Sequence, residues 1–444
     1  MQRILITNAA IVSDGSIRHG DVYIRNGRIA TVGGDLSGLS SDRVIDAGGR
    51  HLLPGLIDDH VHFREPGLTH KGCIRTESMA AAAGGVTSFM EMPNTQPPTV
   101  TRSRLEEKAA IAAAESYGNF AFYLGAANDN LEEIKALDPR SACGVKVFIG
   151  ASTGNMLVDA PDALEEIFSS SPTLVAAHCE DTPTILANEA RFRQRYGEDP
   201  PVRLHCRIRS EEACYRSSSL AVDLARSHRT RLHLLHLSTA RELELLSDAP
   251  MEDKHITAEV CGHHLFFDEA DYDRLGNRIK CNPAIKSKTD RNALRLAMAD
   301  GRIDVVATDH APHTLEEKKR PYFQSPSGLP LVQHSLLLLL ELVKEGVFTL
   351  EQVVEKACHA PARLFDIQDR GYIREGQWAD LVLVDLEGRT HVTADGLLYQ
   401  CRWSPFEGHN FPARIDATLV SGSIVYENGH ITSPPKGMRL VFDR

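Results

Sequence analysis

Eight short apolar runs recur between residues 55 and 313, and most are separated by stretches rich in Ala, Glu and Leu that favour helix. The runs are GLIDDHVHF, VTSFMEMP, NFAFYLGA, GVKVFIG, LVAAHCE, RLHLLHLS, ITAEVCGHH and DVVATDHAPH. Strand followed by helix, repeated eight times over roughly 300 residues, is the pattern and size class of a (β/α)8 TIM-type barrel. A doubly wound open α/β sheet uses the same alternation, and periodicity alone leaves both architectures open.

The two ends of the chain have a different texture. ILITNAAIV, GDVYIRNGRIATVG and DRVIDAGGRHL fill the first fifty residues with strand-like runs broken at Gly, Asn and Asp. ADLVLVDL, ATLVSGSIVYENG and MRLVFD repeat that texture at the far end. The expected organisation is a small β-sandwich domain built from both termini, residues 1–52 and 366–444, enclosing an α/β barrel over residues 53–365.

Composition excludes several function classes. The 444 residues carry a formal net charge of -11, and the sequence pI is near 6.0. No basic stripe is available to neutralise phosphates, which argues against nucleic acid as a partner. A small anionic substrate would also meet overall repulsion, so its site must supply local positive charge from metal ions or a placed arginine. The nine cysteines are scattered without a C-x-x-C pair, as expected for reduced thiols in a cytoplasmic protein. The opening MQRILITNAAIV lacks the basic segment and long apolar run of a secretory leader. LLLLLELV after Ser335 is too short to span a bilayer and is expected as a buried helix, so no membrane association is anticipated.

The chemistry is concentrated at the ends of the apolar runs. His60 and His62 close the first, His178 the fifth, His236 the sixth and Asp309 the eighth. In a barrel these ends converge on one face, and two histidines two apart on a strand point the same way. A lone strand histidine is ordinarily a core or surface residue. Four histidines and an aspartate at matching ends exceed what one catalytic zinc takes from protein, so a two-metal site suited to amide hydrolysis is the economical reading. His51, His70, His205, His228, His233 and His255 keep the ordinary reading; His233, at an odd offset from His236, is expected to face the opposite side of the strand.

PGLIDDHVHFREPG, EMPNTQPPT, GVKVFIG, VAAHCE, LLHLS and ATDHAPHT, in this order, resemble the dihydroorotases over nearly the whole chain. Each motif is shared in part with hydantoinases, dihydropyrimidinases and allantoinases, all cyclic amidohydrolases. The resemblance implies zinc-dependent, reversible cyclisation of N-carbamoyl-L-aspartate to L-dihydroorotate, with two Zn2+ per subunit and a homodimer by family analogy. It implies metal ligation by His60, His62, Lys146, His178, His236 and Asp309, with Lys146 N6-carboxylated into a bridging anion. The segment VFIGASTGN after Lys146 has no acid until Asp159, which favours that lysine over the aspartate that some bacterial dihydroorotases use from the same loop region; a mobile loop is expected near residues 151–155.

Arg64 and Asn94 match the positions that hold the substrate carboxylate in dihydroorotases, whereas allantoinases usually carry asparagine at the arginine position. A guanidinium fork suits a carboxylate and supplies the local charge this acidic chain needs. The competing reading of Arg64 is an ion pair with Glu65 or another surface acid. His313 matches a carboxylate-orienting histidine, Asn282 a polar position near the substrate, and the glycine of SPSGLP a loop lining the ring. His310 is either a packed neighbour or a hydrogen-bonding partner of Asp309. Asp309 is placed to accept the proton of the attacking hydroxide and return it to the ring nitrogen. Another cyclic amidohydrolase of allantoinase or hydantoinase type, or a non-catalytic relative, are the alternatives.

Overall fold

The computed structural model describes residues 3–150 and 156–444; the loop expected near residues 151–155 lies outside them. The apolar runs form parallel strands Leu56–Val61, Val86–Glu91, Asn119–Phe122, Val145–Ile149, Val175–Cys179, Leu232–Leu234, Ile256–Cys261 and Val305–Ala307, the third continuing as Leu124–Gly125. They pair in chain order. The third is interrupted at Tyr123, so one half pairs with the second strand and the other with the fourth.

Hydrogen bonds from the first strand to the eighth complete the ring. His62 N–H donates to the His310 carbonyl at 2.7 Å. The Asp58 carboxylate accepts the Thr308 N–H at 3.1 Å and its hydroxyl at 2.6 Å. This closure excludes the open sheet, which would leave two free edges. Strands such as VKVFI and VAAHC are buried at every position, as a parallel sheet covered on both faces requires.

Helices cover the outside. Glu211–His228 buries Ala213, Cys214, Ser217, Ala221, Val222 and Ala225 along one face, starts with the Ser210 side chain accepting the Ala213 N–H, and stops at a left-handed Arg229. The leucine run forms the buried helix Ser335–Lys344. Among the described residues no helix is long and apolar enough to cross a membrane.

The termini combine in one hydrogen-bonded sheet of nine strands. Arg3–Ser13 lies antiparallel to Ser16–Arg25 and parallel to Arg43–Asp46 and His51–Pro54. His51–Pro54 pairs with Leu381–Asp385, where the two ends of the chain meet. Ile4, Ile6, Ile11, Val22, Leu52, Leu381 and Leu419 form its core. Residues 437–444 return to the barrel instead. Phe120 N–H donates to the Met438 carbonyl and Leu440 N–H to the Phe120 carbonyl, and Leu440 and Phe442 pack with Tyr123, Leu174 and Phe365.

A buried ion pair fastens the terminal sheet to the third barrel strand. Arg370 pairs with Asp380, whose other oxygen accepts the Asn119 amide at 3.1 Å and the Ser421 N–H at 2.7 Å. Removing one partner strands the other charge, at a cost of about 3–5 kcal/mol, whereas an apolar pair of similar volume is close to neutral. Asp380→Ala is therefore expected to lower the thermal unfolding midpoint markedly, and Arg370→Met with Asp380→Leu to recover the part due to the unpaired charge, the Asn119 amide and Ser421 N–H still lacking their acceptor. Equal losses in both variants would contradict this account.

Candidate active site

The C-terminal ends of the strands open onto a cavity of about 230 Å³, on the face where barrels carry their active sites. All ten residues singled out from the sequence line it. The Nε2 atoms of His60 and His62 lie 3.3 and 3.0 Å from the same oxygen of Asp309. His178 Nδ1 and His236 Nε2 are 2.8 Å apart. Lys146 stands close enough to both groups that its charge acts on His60, His178 and His236 alike. Its Nζ is buried, with no hydrogen-bond partner among the described residues.

The electrostatics suit cation ligation. Burial draws His62 down to about 3, His178 below its ordinary value and His236 well below it, so these imidazoles are neutral with a lone pair to offer. His60 goes the other way, because the Glu259 and Asp309 carboxylates outweigh burial. Burial opposes ionisation of Asp309, but His60 and His62 hold its pKa well below the carboxylate range. Burial lowers Lys146 to about 8. Four imidazoles, a carboxylate and an unpartnered amine form a donor set that fits divalent ions of borderline softness.

Three of the imidazoles are oriented from behind. His60 Nδ1–H donates to Glu259 at 2.6 Å, His62 Nδ1–H to the Asn94 side-chain oxygen at 2.7 Å, and His178 Nε2–H to Glu180 at 3.1 Å. In the neutral ring each bond leaves the opposite nitrogen as a lone-pair donor; for His60, whose protonated form Glu259 and Asp309 favour, a bound cation would have to replace the second proton. Glu180 is in turn paired with Arg209 at 2.5 Å; burial would raise its pKa, but Arg209 and His178 bring it to about 2. Glu259 also accepts the His236 backbone N–H at 2.8 Å, linking the two histidine groups. Arg64, His236 and Asp309 have φ of 69°, 39° and 48°. A left-handed backbone at non-glycine residues costs about 1–3 kcal/mol each and is retained where surrounding bonds impose it.

Arg64 is buried at the cavity edge. Its Nε donates to the Pro312 carbonyl at 3.1 Å, and its Nη2 lies 3.1 Å from His313 Nε2. Lys71 donates to His313 Nδ1 at 3.1 Å, so the single proton of a neutral imidazole sits on Nε2, which meets the Ser327 carbonyl at 3.0 Å. Burial, aided by Arg64, Lys318 and Lys71, holds His313 neutral. Arg64 thus finds no acceptor in His313, and its fork stays available for an anion. Glu65 is not its partner: that carboxylate accepts the Ile74 N–H at 2.9 Å at a helix start. Gly328, at φ +131°, passes so close to Ala311 that an added Cβ would lie 2.5 Å from its carbonyl oxygen, so glycine is required in this loop.

Several residues that shape the site were not apparent in the sequence. Glu259, Glu180 and Asp58 are buried carboxylates; a single acid inside an apolar run was the available signal. Lys71 and Trp403, whose indole donates to the His313 carbonyl at 2.7 Å, come from distant segments and gave none. His310 points away from the cavity: it donates to Glu77 at 2.7 Å and accepts the Leu331 N–H at 3.0 Å. His233 corrects the parity argument. The sixth strand ends at Leu234 and His236 is left-handed, so alternation does not extend across them, and His233 lies inside the barrel against Asp59 and Glu259.

Comparison with known proteins agrees with this geometry. Residues 51–425 match the amidohydrolase family. A dihydroorotase of Halobacterium salinarum is 36% identical over 431 residues, covering 96% of this chain and 97% of that protein. An allantoinase of Bacillus velezensis is 32% identical over 433 residues, covering 96% and 94%. Among solved structures, the L-hydantoinase of Arthrobacter aurescens superposes with a TM-score of 0.94 at 29% identity, over 99% of this chain and 100% of that one. With a closed barrel, a histidine-rich strand-end cluster and relatives matching along almost its full length, the chain belongs to the amidohydrolase family.

Proposed function

We propose that this chain is a dihydroorotase, interconverting L-dihydroorotate and N-carbamoyl-L-aspartate for pyrimidine biosynthesis in the cytoplasm. The observation that carries this reading is Arg64, a buried guanidinium beside the histidine cluster whose contacts leave its fork open. A buried cation without an anion is costly, and a substrate carboxylate supplies one in bidentate geometry. Hydantoin and dihydrouracil carry no carboxylate.

In this reading His60, His62 and Asp309 would hold one zinc ion and His178 and His236 a second, with N-carboxylated Lys146 as their shared anionic ligand. Bound there, the ions would polarise the ring carbonyl and make water nucleophilic at neutral pH. Lys146 supports its own part: an amine drawn to about 8 by burial is neutral far more often than an exposed lysine, and the neutral form is the one that adds carbon dioxide. Arg64 grips the substrate carboxylate, with Asn94, Asn282 and His313 offering further polar contacts around it. Asp309, held ionised, takes the proton of the attacking water and delivers it to the ring nitrogen as the C–N bond breaks; ring closure reverses these transfers. Phe148, Ala311 and Pro326 provide apolar wall around the reacting groups.

Zinc-reconstituted protein is expected to turn over L-dihydroorotate in preference to allantoin, hydantoin and dihydrouracil. In the same assay Arg64→Met should raise KM for dihydroorotate by about 10–100-fold, the scale of a lost charge-assisted contact. Preference for a neutral ring would overturn the substrate assignment, and metal-loaded protein silent on all four would overturn the enzymatic one. Asp309→Asn should lower kcat by about 100-fold or more, and retention of near-native turnover would remove Asp309 from proton transfer. Protein loaded under 13C-labelled carbon dioxide should show a carbamate carbon resonance that Lys146→Met lacks; active wild-type protein without it would contradict carboxylation.

A further inference from the structure

Beneath the cavity, the barrel interior encloses four ionisable side chains in sequence: His60, Glu259, His233 and Asp59, each 1% exposed or less. One oxygen of Glu259 accepts His60 Nδ1–H at 2.6 Å and His236 N–H at 2.8 Å. The other faces His233 Nε2 at 3.6 Å, and Asp59 approaches the same nitrogen at 3.3 Å. On the far side of the ring, His233 Nδ1 lies 2.9 Å from the Thr257 hydroxyl. That hydroxyl spends its own proton on the Leu232 carbonyl at 3.3 Å, so toward His233 it is an acceptor. Both ring nitrogens therefore face acceptors, the arrangement of an imidazolium. Burial opposes this charge, but Asp59 and Glu259 outweigh it and raise His233 to about 9.

We propose that His233 is a positioning residue for the metal centre: its buried imidazolium holds the Glu259 carboxylate in the one orientation that serves both His60 and His236. This rests on the binuclear reading above and adds to it a residue outside the cavity lining. The same construction occurs on the fifth strand, where Arg209 pairs with Glu180 and Glu180 orients His178. His233 acts on Glu259 through charge at 3.6 Å, without the direct hydrogen bond that Arg209 makes to Glu180. Without His233, Asp59 and Glu259 share one dry space with His60 as the remaining cationic partner of Glu259, and nothing holds the second Glu259 oxygen, so the carboxylate loses its fixed rotation toward the His60 ring and the His236 turn. Loss of such outer partners typically weakens metal binding by about 10–100-fold.

The test measures metal and activity separately. His233→Asn removes the charge while keeping a polar side chain; Thr257→Val removes the acceptor for Nδ1–H while preserving shape, and is the deciding variant if the first does not fold. Zinc affinity and count are measured by competition with a chromophoric chelator, alongside kcat and KM at limiting and saturating zinc. Wild-type protein is expected to bind two zinc ions. In His233→Asn binding of both should weaken by about 10–100-fold, with KM unchanged and kcat restored at saturating zinc, and Thr257→Val should move the same way by less. Native zinc affinity in both variants would overturn the role of His233 while leaving the centre standing. Wild-type protein that takes no zinc would overturn the centre and this inference together. A third zinc lost on substitution would make His233 a ligand and overturn its positioning role.

Discussion

A carboxylate inside an apolar barrel must find donors, and Glu259 finds them on two other strands. It accepts a side-chain proton from His60 on the first strand and a backbone proton from His236 after the sixth. In a low-dielectric interior an unpaired charge is prohibitively costly, so these bonds constrain backbone as well as side chains. The left-handed turn at His236 follows, because its N–H must reach that carboxylate. Asp58 has the same effect at the closing seam, where it binds Thr308 and thereby places the adjacent Asp309. The site is thus set by buried acids one layer below it, and the strained φ values above them are the consequence.

That layering bears on why two of the candidate metal-binding side chains, Lys146 and His236, have a buried polar atom without a protein partner. Lys146 Nζ and His236 Nδ1 are unpartnered among the described residues, while Glu259, Asn94 and Glu180 each hold an imidazole. An ammonium left unpaired in such surroundings is unstable as a cation, which is why burial brings it to about 8. The interior supplies orientation for most donors and leaves the amine to react or to ligate.

How much of this was legible in the sequence divides along the same layers. The barrel and the strand-end cluster were readable because period-two alternation and apolar runs are local, and because the clustered side chains appear as His or Asp closing a run. The layer beneath was not. Glu259 and His233 are unremarkable in sequence, and only closure of the ring brings them against His60 and Asp59. Strand parity also misplaced His233, since alternation holds only where strand geometry persists and it lapses after Leu234. Residues 437–444 share the strand-like texture of the terminal sheet, yet they pair with Phe120, a choice made by the apolar contacts of Leu440 and Phe442 at the barrel floor.

The net charge of -11 made local positive charge a requirement for an anionic substrate, and the structure is selective about which cations meet it. Lys318 turns its ammonium onto the carbonyls of Lys280, Pro326 and Gly328, and Lys280 onto those of Tyr322 and Ser325. These two buried lysines clamp the loop over the cavity: Lys318 spends all three of its N–H donors there and Lys280 two of its three. Lys71 is committed to His313 and Glu317. Arg64 alone of these four keeps its fork open at the cavity. A neutral ring bound there would leave that guanidinium buried and unpaired, so under the proposed reading discrimination would arise as much from the penalty on the wrong substrate as from attraction to the right one.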